Sequence, residues 1–196
     1  MSFAYTPKEG NVTATIGPFF SKTNFKEDRA NDNKWLQGFG IMAVGDVNDF
    51  GSLELAIFYM KKHYYRLLTP SLMGERAELM HVTMGYRRWL GSRFSLSGAV
   101  FSSYSIGESV QVYNDFAPGS PVADTSARDI TEYGVEFALQ SELWAEKNWA
   151  VILDTRYSLS LTQKEHETAD HYGALLGIRY LVQEKNASSL KNSTKK

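Results

Sequence analysis

The sequence predicts an all-β fold, an eight-stranded antiparallel up-and-down transmembrane β-barrel spanning residues 11–182. Three observations carry this prediction. Apolar and polar residues alternate with period two in successive segments, the connections alternate between short and long, and aromatic residues make up 13% of the chain. Period-two alternation places successive side chains on opposite faces of a strand. Aromatic residues suit strands and the interfacial girdles of a membrane barrel better than a helical bundle.

The segment Asp170 to Val182 shows the alternation most clearly. Tyr172, Ala174, Leu176, Ile178, Tyr180 and Val182 fall on one face, and His171, Gly173, Leu175, Gly177, Arg179 and Leu181 on the other. Tyr172 and Tyr180 stand eight residues apart. At about 3.3 Å per residue and a tilt near 45°, that is roughly 19 Å along a membrane normal, which fits the two girdles of an apolar band. In the preceding segment Trp149, Val151, Leu153, Thr155, Tyr157, Leu159 and Leu161 alternate with Ala150, Ile152, Asp154, Arg156, Ser158 and Ser160. Before it, Tyr133, Val135, Phe137, Leu139, Ser141 and Leu143 alternate with Glu132, Gly134, Glu136, Ala138, Gln140 and Glu142. Trp149, Tyr157, Tyr133, Tyr172 and Tyr180 are therefore expected at the membrane interfaces.

Alternation alone also fits a soluble sandwich or a lipocalin-like barrel, which would turn the apolar face inward. Loop lengths separate the readings. Further strands are expected at about 94–106, 77–90, 51–65, 34–45 and 11–22. The connections are then short at Asp46–Phe50, Leu90–Arg93 and Ala145–Asn148, and longer at Thr23–Asn33, Arg66–Arg76, Gly107–Ala127 and Thr162–Ala169. Short turns on one rim, long loops on the other, an even strand count and both termini on the short-turn side describe a bacterial outer-membrane barrel. Gly17-Pro18 inside the first strand predicts a bulge or a bend. The run Lys61, Lys62, His63 and Tyr64 is too polar for lipid and is expected to project above the bilayer.

Composition removes other classes. Mean hydropathy is -0.33, and no apolar run is long enough for a membrane-spanning helix. There is no cysteine, which excludes disulfides and thiolate metal sites. A net charge of -1 argues against a nucleic-acid binder. Residues 1–10 lack a basic stretch followed by an apolar one and are not a secretory signal. They are expected to form a periplasmic segment, a signal having been removed before them. Residues 183–196 are polar, rich in Lys, Ser and Asn, and expected to be a disordered tail.

In the terminal pattern Tyr172-Gly-Ala-Leu-Leu-Gly-Ile-Arg-Tyr-Leu-Val182, the hairpin rhythm and the charged inner face, the chain resembles the small outer-membrane barrels of the OmpA/OmpX type. The resemblance covers nearly the whole chain and is one of fold. It implies a monomer in the bacterial outer membrane, with long loops extracellular and termini periplasmic. It also implies contact with outer-membrane lipids and lipopolysaccharide, and with the barrel-assembly machinery during biogenesis. The final strand resembles the signal that machinery reads, but the chain continues for fourteen residues beyond Val182 instead of ending on an aromatic.

An eight-stranded barrel has an interior filled by side chains. The inward positions contain Glu54, Arg87, Glu132, Glu136, Asp154, Arg156 and Arg179, with His81 and Glu142. Buried charges must pair. One reading is a stabilising Arg–Glu plug, and the other is a gate that exchanges partners to pass small solutes. No cofactor, metal or catalytic site is expected. His63, His81, His166 and His171 lie in no local His-x-Ser arrangement of the kind that would suggest a lipid A-modifying hydrolase. His63, His166 and His171 are expected as solvated groups near the outer rim. The run Lys164-Glu165-His166-Glu167 has poor geometry for a metal. Val110 and Val112 are expected to extend strands above the membrane. Loops 66–76 and 107–127 are candidate contacts for a protein or surface ligand, and Lys22, Lys26, Arg29, Lys61, Lys62 and Arg66 for lipopolysaccharide phosphates.

Overall fold

A computed structural model describes residues 5–25, 33–68, 70–117, 130–162, 167–168 and 170–183. The strands are β1 (Val12–Thr23), β2 (Leu36–Asp46), β3 (Gly51–Leu68), β4 (Ser71–Trp89), β5 (Phe94–Ser105), β6 (Val110–Asn114), β7 (Glu132–Glu146), β8 (Trp149–Ser160), β9 (Glu167–Thr168) and β10 (His171–Gln183). Eight of them close a ring in the order β1, β2, β3, β4, β5, β7, β8, β10, with β10 returning to β1. Every pairing is antiparallel, and closure runs from Val12 opposite Gln183 to Thr23 opposite His171. The all-β, eight-stranded closed barrel read from the sequence is the fold. Closure leaves the ring without an exposed edge, which is what lipid demands of backbone N–H and C=O groups.

The faces fall as the alternation predicts. Ile178, Val100, Phe137 and Met84 point outward, more than half exposed. Glu54, Arg87, Glu136, Asp154 and Arg156 point inward and are buried. This inverts a water-soluble barrel and fits an apolar surround. The aromatics form two belts. Trp149 packs on Tyr180 near the short-turn rim at 4.4 Å between centroids, and Tyr157 packs on Tyr172 toward the other rim at 5.1 Å.

The interior is less uniformly polar than the alternation suggests. β1, β2 and β10 send in Phe19, Met42, Val44 and Leu175, which join Phe58, Met60, Leu79 and Ile152 in an apolar cluster. Phe19 and Phe58 meet at 4.4 Å between centroids. The charges come chiefly from β3, β4, β7 and β8.

Two expectations need correction. The segment 66–76 is not a loop: β3 and β4 pair without a break from Gly51 opposite Arg88 to Leu68 opposite Ser71. Arg66, Glu75 and Arg76 interrupt the apolar alternation because this part of the hairpin lies beyond the apolar belt, where alternation is no longer required. The outward pair Lys61 and Glu78, 3.4 Å apart, marks that boundary. Pro18 causes no bulge: it sits opposite Phe39, and the register against β10 continues from Ile16 opposite Ile178 to Phe19 opposite Leu175. Proline is tolerated there because the β1–β10 ladder has no bridge at 17–18. Within the described ring the register shifts lie elsewhere, between Val12 and Thr13 and between Glu142 and Trp144. The second turns both Leu143 and Trp144 outward.

Beyond the end of β2, other elements complete the projecting hairpin. Ser21 and Thr23 hydroxyls donate to the carbonyls of Lys61 and His63 at 2.7 and 2.5 Å. β6 adds to β4 from Met73 to Arg76, so Val110 and Val112 do extend the sheet, and β9 pairs with β3 at Tyr65 and Arg66. Residues 184–196, and with them nearly all of the polar tail, lie outside the described residues, as do 118–129 of the longest loop.

A charge placed on the lipid face should be costly in proportion to depth. Ile178→Arg, mid-belt, is expected to destabilise the barrel by about 2–4 kcal/mol, and Val182→Arg, at the short-turn rim, by about 0–1 kcal/mol. Urea titration of the protein folded into lipid vesicles measures both; equal costs would contradict the placement of the belt.

Candidate functional site

The lumen holds a continuous network of buried charges. Arg156, on β8, donates from Nε to Asp154 Oδ1 at 2.6 Å, from Nη1 to Glu136 Oε1 at 2.7 Å and from Nη2 to Glu54 Oε1 at 2.8 Å. Its guanidinium also lies 4.8 Å from the centre of the Phe58 ring and 3.2 Å from Met42 Sδ. Arg87, on β4, donates from Nε to Glu54 Oε2 at 2.6 Å, from Nη2 to Asp154 Oδ2 at 2.7 Å and from Nη1 to Ser95 at 2.8 Å. Two planar guanidiniums thus serve three carboxylates, the five residues coming from four strands. The fixed fork of arginine makes this possible, since a lysine offers only a point charge.

Two further groups of paired side chains lie in the lumen on either side of this centre. Toward the long-loop rim, Lys62 donates to both oxygens of Glu132 at 2.9 and 3.0 Å, and Tyr64 donates to the same carboxylate at 2.9 Å. Toward the short-turn rim, Arg179 donates to Glu142 and lies 4.4 Å over the Tyr5 ring and 5.5 Å over Trp89. Tyr5 donates to Asp46 at 2.6 Å, and the Lys8 amide donates to the same carboxylate oxygen at 2.9 Å. Burial and then the Asp46 bond push the Tyr5 phenol well above its ordinary range. The segment before β1 is therefore folded across the mouth rather than trailing from it.

All seven charged residues singled out from the sequence face the lumen, and they fall into three groups. Glu54, Arg87, Glu136, Asp154 and Arg156 form the centre, Glu132 pairs with Lys62, and Arg179 pairs with Glu142. Lys62 was expected on the rim, but it points inward and is 1% exposed. His63 and His171 were expected as solvated rim groups, and both are buried. Lys62 and His171 have the inward parity of Glu54 and Arg179, whereas His63 lies on the opposite face, covered beside Tyr65, on which Phe25 stacks. His166 and residues Lys26 and Arg29 lie outside the described residues.

Sequence reading missed one arrangement entirely. His81 places Nδ1 2.5 Å from Ser103 Oγ and Nε2 3.1 Å from Glu136 Oε2, which also accepts from Ser158 at 2.6 Å. His171 stands beside it, ring centroids 5.3 Å apart. Ser103 and His81 are twenty-two residues apart in sequence. Their one signal is that both fall on the inward face of neighbouring strands.

No family model matches the chain, and no curated protein matches it. Among solved structures the chain is similar to the outer membrane protein OprG from Pseudomonas aeruginosa, at 10% identity over 91% of this chain and 98% of that one, with a TM-score of 0.56. It is also similar to Ail, the attachment invasion locus protein of Yersinia pestis, at 16% identity over 88% of this chain and 99% of that one, with a TM-score of 0.47. Ail in complex with the heparin analogue sucrose octasulfate matches at 15% identity over the same shares, with a TM-score of 0.48. Identities this low speak to fold alone, and the OprG likeness carries it. The architecture is that of a small outer-membrane β-barrel.

Removing Arg156 leaves Glu54, Glu136 and Asp154 with one guanidinium among them. Arg156→Met is expected to cost about 3–5 kcal/mol, read by urea unfolding in micelles. Arg156→Lys should recover little of the loss, because one ammonium cannot span three carboxylates on three strands. Full recovery by lysine would contradict the forked geometry.

Proposed function

We propose that the protein is a closed outer-membrane barrel that anchors a folded platform at the cell surface for adhesive or structural contacts. The observation that carries this reading is the three-level closure of the lumen by Lys62 and Glu132, by the central five-charge network, and by Arg179 with Tyr5. In an eight-stranded barrel the interior is only wide enough for side chains, and ion pairs of this kind hold it shut. Short turns and both termini then face the periplasm, and the tall β3–β4 hairpin stands outside the cell.

The platform is built for display. β6 and β9 widen the β3–β4 hairpin into a small sheet, and Phe25 stacks on Tyr65 at 4.3 Å between centroids to support it. Lys22 and Lys61 face outward near its base, where lipopolysaccharide phosphates would meet them. The hairpin flanked by β6 and the loop that follows β6 supply the surface for a protein or glycan ligand.

Catalysis is not part of this reading. Ser103, His81 and Glu136 have the order of a nucleophile, base and orienting acid. Ser103 is 2% exposed and His81 is fully buried, so no lipid ester reaches the hydroxyl. Glu136 is committed to Arg156 and Ser158 as well.

Planar-bilayer recording of the purified wild type is expected to show no unitary conductance steps. Regular steps with a single amplitude would contradict the closed lumen and favour a narrow pore.

A further inference from the structure

His171 opens β10 with its imidazole inside the barrel, 1% exposed, and neither ring nitrogen has a hydrogen-bond partner. Burying a polar group without a partner costs its full desolvation. Such a group in a folded interior calls for a water or an ion. Beside it stand His81 and the Glu136 carboxylate. One ligand atom from each of the three residues lies within 4.8 Å of the other two.

Charge points the same way. The hydrogen-bonded centre contains three carboxylates, Glu54, Glu136 and Asp154, against the two guanidiniums of Arg87 and Arg156. One negative charge is left over among these groups, and Glu136 presents it to the two histidines. A dication held by both imidazoles would lie against this negative charge and give one His171 nitrogen a partner. Lys62 opposes a cation nearby, but its ammonium is held by Glu132 at 2.9 Å, so the pair is neutral.

We propose that the lumen binds one divalent transition-metal ion of the zinc class through His81, His171 and Glu136. Two imidazole nitrogens and one carboxylate oxygen are a donor set for zinc and its borderline neighbours cobalt, nickel and copper. Bonds of about 2.0–2.2 Å place tetrahedral ligand atoms roughly 3.4 Å apart, so the three arms draw inward around the ion and leave a fourth position for water. Outer groups orient the ligands as metal sites require: Ser103 holds His81 Nδ1, and Ser158 and Arg156 hold Glu136. Phe101 lies 4.7 Å from His81 between ring centroids and excludes water on that side. β4 and β10 are opposite in the ring with β7 midway between them, so the ion ties the barrel across its lumen.

The test uses the full, untagged chain folded in detergent micelles and stripped with chelator, titrated with Zn2+ by calorimetry and with Co2+ by its visible absorption. One ion per chain is expected, with the unfolding midpoint raised by Zn2+. His171→Ala and His81→Ala should lose saturable binding, Ser103→Ala should weaken it by about 10- to 100-fold, and His63→Ala should leave it unchanged. Heat-shifted migration on gels checks that each variant is folded. If a ligand variant does not fold, 15N imidazole resonances of the wild type decide the matter: those of His81 and His171 should move with Zn2+ while those of His63 stay. Absence of one-to-one binding in the wild type, or binding retained in folded His171→Ala with unmoved resonances, overturns the proposal.

Discussion

Arg156 reaches from β8 to Asp154 beside it, to Glu136 on β7 and to Glu54 across the lumen on β3, while Arg87 joins two of the same carboxylates from β4. In a low-dielectric interior none of these charges is tolerable alone, so the five residues stand or fall together. Their pairing also fixes strand register. A slip of one residue in β7 or β8 would turn Glu136 or Arg156 to lipid and bring Phe137 or Tyr157 inward. The alternation allows two ways of facing each strand, and the network admits one.

The rest of the molecule follows from the same division between lipid and lumen. Closure of β10 on β1 satisfies the backbone within the ring. Where the β3–β4 hairpin outgrows its neighbours, Ser21, Thr23, β6 and β9 supply the missing partners. At the other end Tyr5 and Lys8 cap the mouth through Asp46. The apolar cluster around Phe19, Phe58 and Leu175 packs in the lumen beside the charges. Among the described residues the interior mixes a charged centre with an apolar cluster, and the two meet where the Arg156 guanidinium lies over Phe58.

Much of this was legible in the residues. β7, β8 and β10 alternate so regularly that each inward charge could be named. The hairpin tip was not legible, because Arg66, Pro70, Gly74 and Glu75 look like a loop when alternation is the only guide. Height inside the barrel was not legible either: Lys62 and His171 have the inward parity of Glu54 and Arg179, but alternation does not say how far toward the rim inward side chains stay buried. The meeting of His81, Ser103, Glu136 and His171 depends on four strands and on the stagger between them. Facing alone puts these side chains in the lumen, and only register puts them together.

The sidedness of the wall and the closure of the lumen meet in a single measurement. The chain has no cysteine, so single cysteines along β10 can be spin-labelled without background in vesicles. Collision with oxygen reports lipid, and collision with a water-soluble nickel chelate reports water. Labels at Leu176 and Ile178 are expected to meet oxygen and not nickel, while a label at Leu175 meets neither. Nickel reaching position 175 would mean a water-filled lumen, and oxygen failing to favour 176 and 178 would mean that this wall does not face lipid.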